Sequence, residues 1–341
     1  MIQFSVGYGG HDGFEDLIAE YTDRVAEVYC APPFTESSAG VRHISYEHPY
    51  ALKLHVFLDF AREQGIRTNL LFDQLCLGPG YASETRSRDM LRLVRSYVRR
   101  YGVAAVTVSS IADGERIKQA LPDLAVHVSE TMFVAYPEHA RQVAHFADVI
   151  TLDRDLNRDL DAIGAVKDAA GKPVQIVANM ACVYRCMLRV HVLNASSHYV
   201  DWGVRGGQEC IARFARDPAL LLKSTLIRPE DLGRYDDLVD LVKLDSLFWD
   251  TDRLARLLDA YTSGAYSGNL WEIAGGGAGT FFGDASVRGA APVLSNDDIP
   301  EGFFEKVTRC SRICSECGYC SDLAPAPEED PVDRAVRTAL Q

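Results

Sequence analysis

Short runs of β-branched and aliphatic residues alternate with amphipathic stretches along most of the chain. The runs occupy 2–6, 25–29, 66–72, 103–108, 124–128, 147–152, 174–178, 222–227 and 239–244. Between them, 51–64 sets Leu52, His55, Val56, Leu58 and Phe60 near helical spacing and ends at Gly65. Stretches 90–100, 137–146 and 156–170 read the same way, the last closed by Gly171. Strand and helix in regular alternation predict a parallel sheet, and about eight repeats in roughly 250 residues is the size of a TIM-type (β/α)8 barrel. There are nine candidate strands, so one is expected to lie outside the barrel wall. A doubly wound open sheet is the alternative, but the glycines in Val6-Gly7-Tyr8-Gly9-Gly10-His11 lack the dinucleotide spacing.

The alternation stops near residue 275. The barrel is therefore assigned to 1–274, and 275–341 to a cysteine-rich C-terminal extension with an acidic tail. The run Gly275-Gly276-Gly277-Ala278-Gly279 joins no strand to a helix and reads as a flexible connection, not a phosphate loop.

Composition changes this picture little. The 341 residues are 47% hydrophobic, and no apolar run approaches the roughly 18 residues of a membrane span. No secretory leader is evident, so a cytoplasmic location without membrane attachment is expected. A net charge of -13 disfavours nucleic acid as the general partner.

The cysteines change it more. Seven of the nine follow residue 180, and clustered thiols in a chain of this class point to metal or catalysis. Cys182 and Cys186 directly follow the 174–178 strand, which places them at the C-terminal mouth of the barrel, on one face if their segment is helical. Cys210 follows in Arg205-Gly206-Gly207-Gln208-Glu209-Cys210. The terminal group Cys310, Cys314, Cys317 and Cys320 packs four thiols into eleven residues. Such density calls for a soft or borderline metal, and the spacing resembles a ferredoxin run in reverse. An iron-sulfur cluster is the preferred reading and a four-cysteine zinc site the alternative. Cys310, Cys314 and Cys317 also spell the C-x3-C-x2-C motif of radical S-adenosylmethionine enzymes, but there it follows the first barrel strand rather than the last. Cys30 and Cys76, each isolated, read as small apolar residues.

Polar residues at the ends of predicted strands are further candidates: Asp73, Gln74, Ser109, Ser129, Glu130, Asp153, Arg154, Asn179, Arg228, Glu230 and Asp245. Asp153 and Asp245 also suit helix caps. Glu130 and Arg228 demand partners, because a charge beside a strand end cannot stay unpaired. His191 and His198 follow the cysteine pair, with Arg185 and Arg189 nearby. A histidine there can move protons near neutral pH, and arginines can hold an anion.

The order strand, Cys182-Val-Tyr-Arg-Cys186-Met-Leu-Arg-Val-His191, Cys210, Arg228-Pro-Glu-Asp-Leu232 and Val242-Lys-Leu-Asp245 resembles the collagenase-like peptidase family of iron-sulfur barrel proteins. The resemblance runs from Phe4-Ser5-Val6-Gly7-Tyr8 to the terminal cysteines. It implies a [4Fe-4S] cluster and redox chemistry of the kind some members use for oxygen-independent hydroxylation of RNA bases or ubiquinone precursors. It implies Cys182, Cys186, Cys210 and Cys310 as ligands, leaving Cys314, Cys317 and Cys320 for a second cluster; alternatively the terminal four bind together. Either way, seven thiols leave one iron position vacant. The expected protein is an iron-sulfur oxidoreductase or hydroxylase in small-molecule or cofactor biosynthesis, with Arg185, Glu130, His191 and Arg228 orienting the substrate or moving its protons. The resemblance also admits a heteromeric partner subunit, and the chemistry requires an electron donor. The rival classes are a zinc-stabilised scaffold for a partner protein and a true peptidase, for which no His-Glu-x-x-His helix is present.

Overall fold

A computed structural model describes residues 2–33, 48–78, 80–197, 208–247, 249–283 and 293–326. Eight parallel strands close into a barrel: β1 (Phe4–Gly7), β2 (Val25–Cys30), β3 (Thr68–Phe72), β4 (Ala105–Val108), β5 (Ala125–Val128), β6 (Val149–Thr151), β7 (Val174–Val177) and β8 (Leu241–Lys243). Strand β8 pairs with both β7 and β1, which completes the ring. Helices α1 (Phe14–Glu20), α2 (His48–Gln64), α3 (Glu84–Tyr101), α4 (Ile111–Ala120), α5 (Pro137–Val143) and α6 (Leu160–Ala170) follow the first six strands. Their ends are written locally. Helix α3 starts where the Ser83 hydroxyl accepts from Arg86 N and stops at Gly102, whose φ of 69° closes it. Among the described residues no helix is long and apolar enough to cross a membrane.

The main core fills the space between strands and helices, with Phe4, Leu54, Phe57, Val94, Ile117 and Leu257 wholly buried. Alternate strand positions point into the barrel, and this layer is polar. Ser5 donates to Glu27 at 2.7 Å, Asn69 Nδ2 reaches Glu27 and His127 at 3.1 Å each, and Thr107 donates to Asn69 at 3.0 Å. Tyr29, Leu71 and Leu247 form a separate small apolar cluster.

The ninth candidate strand, 222–227, is not part of the wall. The ring is already closed by β8, so this segment instead pairs with the loop leaving β7: Ile227 N donates to Ala178 O, Thr225 N to Cys182 O and Thr225 Oγ1 to Met180 O, at 2.8, 2.9 and 3.1 Å. It braces the first cysteine loop. The glycine run is also not a flexible connection. Gly276–Gly283 form a helix, here α10, docked on the mouth, with Gly275 N bonded to Asn179 O and Gly276 N to the Asp245 carboxylate, 2.6 and 2.7 Å away. A Cβ on Gly275 would stand 2.9 Å from Asp245 Cβ, so glycine is what permits this approach.

Candidate functional site

The ends of β5, β6 and β7 are neighbours in the ring, and each contributes one residue to a buried cluster at the C-terminal mouth. After β5, Ser129 caps a short 3-10 turn that opens with Glu130. After β6, Asp153 caps the 3-10 helix Arg154–Arg158. After β7 comes Cys182. The Arg154 guanidinium binds both Glu130 oxygens, Nη2 to Oε2 at 2.5 Å, and also engages the Cys182 thiol. Burial by itself would lower the pKa of Arg154, but Glu130 and Cys182 outweigh it and hold the guanidinium above its usual value. Arg154 was visible in the sequence only as one of several strand-end residues, yet it stands at the centre of this cluster.

The Cys182–Cys186 segment is a turn, not a helix, because Asp153 and Asp155 capture its main chain and the residues after it. Arg185 N donates to Asp155 at 3.0 Å, and Arg185 itself takes a left-handed φ of 47°. Arg189, first residue of α7 (Arg189–Ser197), forks onto Asp153 at 2.8 and 2.9 Å and reaches Asp155 at 3.2 Å. Asp153 is therefore both cap and clamp.

Cys210 lies on α8 (Gln208–Arg216), close enough to Cys182 and Cys186 for their charges to interact. Burial pushes its thiol up to about 11, helped by those two neighbours. Burial also raises Cys182, against the pull of Arg154 and Arg189. Arg213 Nη1 stands 3.8 Å from Cys186 Sγ. Thiols held protonated in this way become ligands when a metal binds the sulfur and displaces the proton to solvent.

The other predicted residues divide by place. His191 and Arg185 are exposed at the rim, with the Arg185 guanidinium over the Tyr184 ring. His198 lies outside the described residues. Asn179 and Asp245 tie the ends of β7 and β8 to the Gly275 segment. Glu230 accepts from Tyr266 N and Asn296, a structural task. Arg228 forks onto Asp231 at 2.9 and 3.1 Å and covers the Phe303 ring of the C-terminal segment. Cys30 is fully buried and its thiol is raised by burial alone; Cys76 is half-buried, its N–H 3.4 Å from Ser197.

The terminal cysteines gather separately. Cys310, Cys314, Cys317 and Cys320 all line one cavity of about 30 Å³, so Cys310 stands with the terminal group. Arg312 ties the two cysteine loops together, donating to the Tyr184 hydroxyl at 2.9 Å and to Arg158 O at 2.7 Å. Among the described residues no three His, Cys, Asp or Glu side chains already stand as a formed metal site. The barrel thiols and the four terminal thiols occupy two separate neighbourhoods, each short of ligand spacing.

At the opposite, N-terminal end of the barrel, Tyr21, Arg24, Arg256 and Asp259 border a broad open groove of about 750 Å³. Residues at that end of the fold ordinarily serve stability.

The chain is 25% identical over 277 residues to MJ1657, an uncharacterized protease of Methanocaldococcus jannaschii, covering 78% of this chain and 79% of that protein. Among solved structures it is similar to the U32 peptidase Mk0906, with a TM-score of 0.50 and 20% identity over 71% of this chain and 92% of that one. No family model matches the chain. The first is a relative named only as a protease, and the second supports the barrel fold.

Proposed function

We propose that the barrel mouth holds an iron-sulfur cluster on Cys182, Cys186 and Cys210, and that the protein is a redox enzyme acting on a small molecule. The observation that carries this reading is that Cys210, from a separate segment, lies within charge-interaction range of Cys182 and Cys186 beside the buried Arg154. The donor set fits the group: three soft ligands, basic neighbours in Arg154, Arg189 and Arg213 to offset their negative charge, and a carboxylate, Glu130, already occupied by Arg154. When bound, such a cluster supplies electron transfer and, at an iron without a cysteine, a Lewis-acid position.

The chain's own residues would frame that chemistry. Arg154 would bring a fixed positive charge to Cys182 and holds Glu130 in a two-pronged ion pair beside it. Asp153 and Asp155 hold the 182–189 loop through Arg189 and Arg185 N, so the thiols are set by a rigid turn. At the rim, Arg185 can bind an anionic group of the substrate and His191 can exchange a proton with it. By the family resemblance, the reaction class is oxygen-independent hydroxylation or a related biosynthetic step, with an external electron donor. The relatives' protease names are the support for a peptidase; no nucleophile, base and oxyanion arrangement at the described mouth adds to it.

The test is iron, acid-labile sulfide and zinc measured together on protein purified without oxygen, with Cys182→Ala alongside. Iron and sulfide in equal amounts, falling in the variant, support the reading. Zinc without sulfide overturns it.

A further inference from the structure

The 3-10 helix Arg154–Arg158 carries two buried arginines that serve different thiols. Arg154 faces Glu130 and Cys182, while Arg158, four residues on, has its charge set against Cys320 and Cys310. Arg158 is only 8% exposed, and no carboxylate among the described residues pairs with it; its guanidinium also lies over the Phe303 ring. A buried guanidinium without a counter-anion is costly. The ionisable groups that can carry negative charge beside it are Cys320, Tyr235 and Cys310, two of the three being cysteines.

The cavity beside it repeats the message. Cys310, Cys314, Cys317 and Cys320 line it, as do Lys223, Lys306 and Arg312, and no acidic residue does. Arg312 Nε is buried there with no hydrogen-bond partner. The backbone is shaped to gather the thiols: Arg312 and Gly318 take positive φ of 61° and 67°, reversing the chain on either side of the short helical turn Cys314–Cys317. Isolated surface cysteines would need none of this.

We propose that Cys310, Cys314, Cys317 and Cys320 form a metal centre of their own, four thiolates around a soft or borderline metal, separate from the barrel trio and charge-compensated by Arg158. A single zinc ion and a [4Fe-4S] cluster share this ligand chemistry, and each leaves the filled site a dianion, matched by the cationic lining. The centre staples the segment after α11 (Phe303–Thr308) against the barrel, since Phe303 sits under Arg158 and Arg228 and stacks with Tyr319. The proposal stands whether or not the barrel trio holds a cluster.

The experiment is the metal and sulfide content per chain of the full-length protein, its Cys182→Ala variant and its Cys317→Ser variant, purified without oxygen. Cys317 is exposed, so serine there leaves the apolar core untouched, and Cys314→Ser provides a second, equally exposed probe. Far-UV circular dichroism checks that each variant is folded. The expected result is one metal centre that survives Cys182→Ala and is lost from Cys317→Ser and Cys314→Ser. Zinc lost without sulfide identifies a single ion, and iron lost with sulfide identifies a cluster. Metal content unchanged in folded Cys317→Ser and Cys314→Ser, or abolished entirely by Cys182→Ala, would overturn the proposal. The barrel reading fails separately, if no iron and sulfide depend on Cys182.

Discussion

Arg312, in the terminal cysteine loop, donates to the hydroxyl of Tyr184, which lies between the two cysteines of the barrel loop, at 2.9 Å. Its other amine meets Arg158 O at 2.7 Å, so a single side chain latches the extension to both the β7 loop and the 3-10 helix after β6. Arg312→Met keeps an unbranched apolar stem and removes both bonds. Bonds from a charged donor are worth about 1.5–3 kcal/mol each where buried, and Arg312 is partly exposed, so the lower part of that range applies. Limited proteolysis should cut the 308–322 segment faster in the variant, with the barrel resisting as before. Equal cleavage rates would show that the latch holds nothing.

The buried pair Glu130 and Arg154 makes a sharper prediction. Each is about nine-tenths buried, and each would leave an uncompensated charge if the other were removed. Arg154→Met should cost about 3–5 kcal/mol in chemical denaturation. Adding Glu130→Gln to it should recover part of the loss, since the stranded carboxylate is then gone. A double variant no better than the single would mean that the loss comes from the Cys182 side of Arg154.

These arrangements were unevenly legible in the sequence. Strand and helix alternation reports burial on the sheet and on one helix face, so the barrel and the position of Cys182 at its mouth could be read directly. Segment 222–227 carries the same apolar signal because it is buried, but it is buried against a loop, and hydrophobicity does not distinguish the two. The glycines at 275–279 looked like slack because glycine permits both looseness and close approach; only the contacts with Asn179 and Asp245 separate them. Arg158 gave no signal at all. Its role depends on a four-residue offset from Arg154 and on a loop 150 residues later, and one-dimensional spacing holds neither.

Arg253 explains why the glycine segment is ordered. From α9 (Thr251–Ser263) its guanidinium donates to the carbonyl oxygens of Glu272, Thr280, Trp271, Ala274 and Gly279, all between 2.9 and 3.1 Å, while lying over the Trp249 ring. Arg253→Met strands several buried carbonyls, each costing about 1–3 kcal/mol when left unsatisfied. A loss above about 3 kcal/mol is expected in urea denaturation. Arg253→Lys should retain a fraction, because an ammonium has fewer donors and no fixed fork. If methionine at 253 is tolerated, the helix Gly276–Gly283 is held by its other contacts.

His127 gives the barrel interior a dependence on pH. It is buried in the polar layer, and burial holds its pKa below the usual histidine value, against the opposing pull of Glu27 at 3.7 Å. Asn69 Nδ2 lies 3.1 Å from His127 Nδ1 while Asn69 Oδ1 accepts from Thr107, so the amide donates to an unprotonated ring nitrogen and the neutral ring is the one that fits. The unfolded chain takes up its proton near pH 6.5, before the folded chain does. Stability from this group is therefore full above about pH 6.5 and falls as the pH drops toward the depressed folded value, by up to about 1.4 kcal/mol per pH unit. Denaturation measured between pH 5 and 7.5 should show a shallower decline for His127→Gln than for the native chain. Parallel curves would mean that folding leaves the His127 pKa unchanged, and a steeper decline for His127→Gln would mean that His127 is charged inside the barrel with Glu27 as its counter-ion.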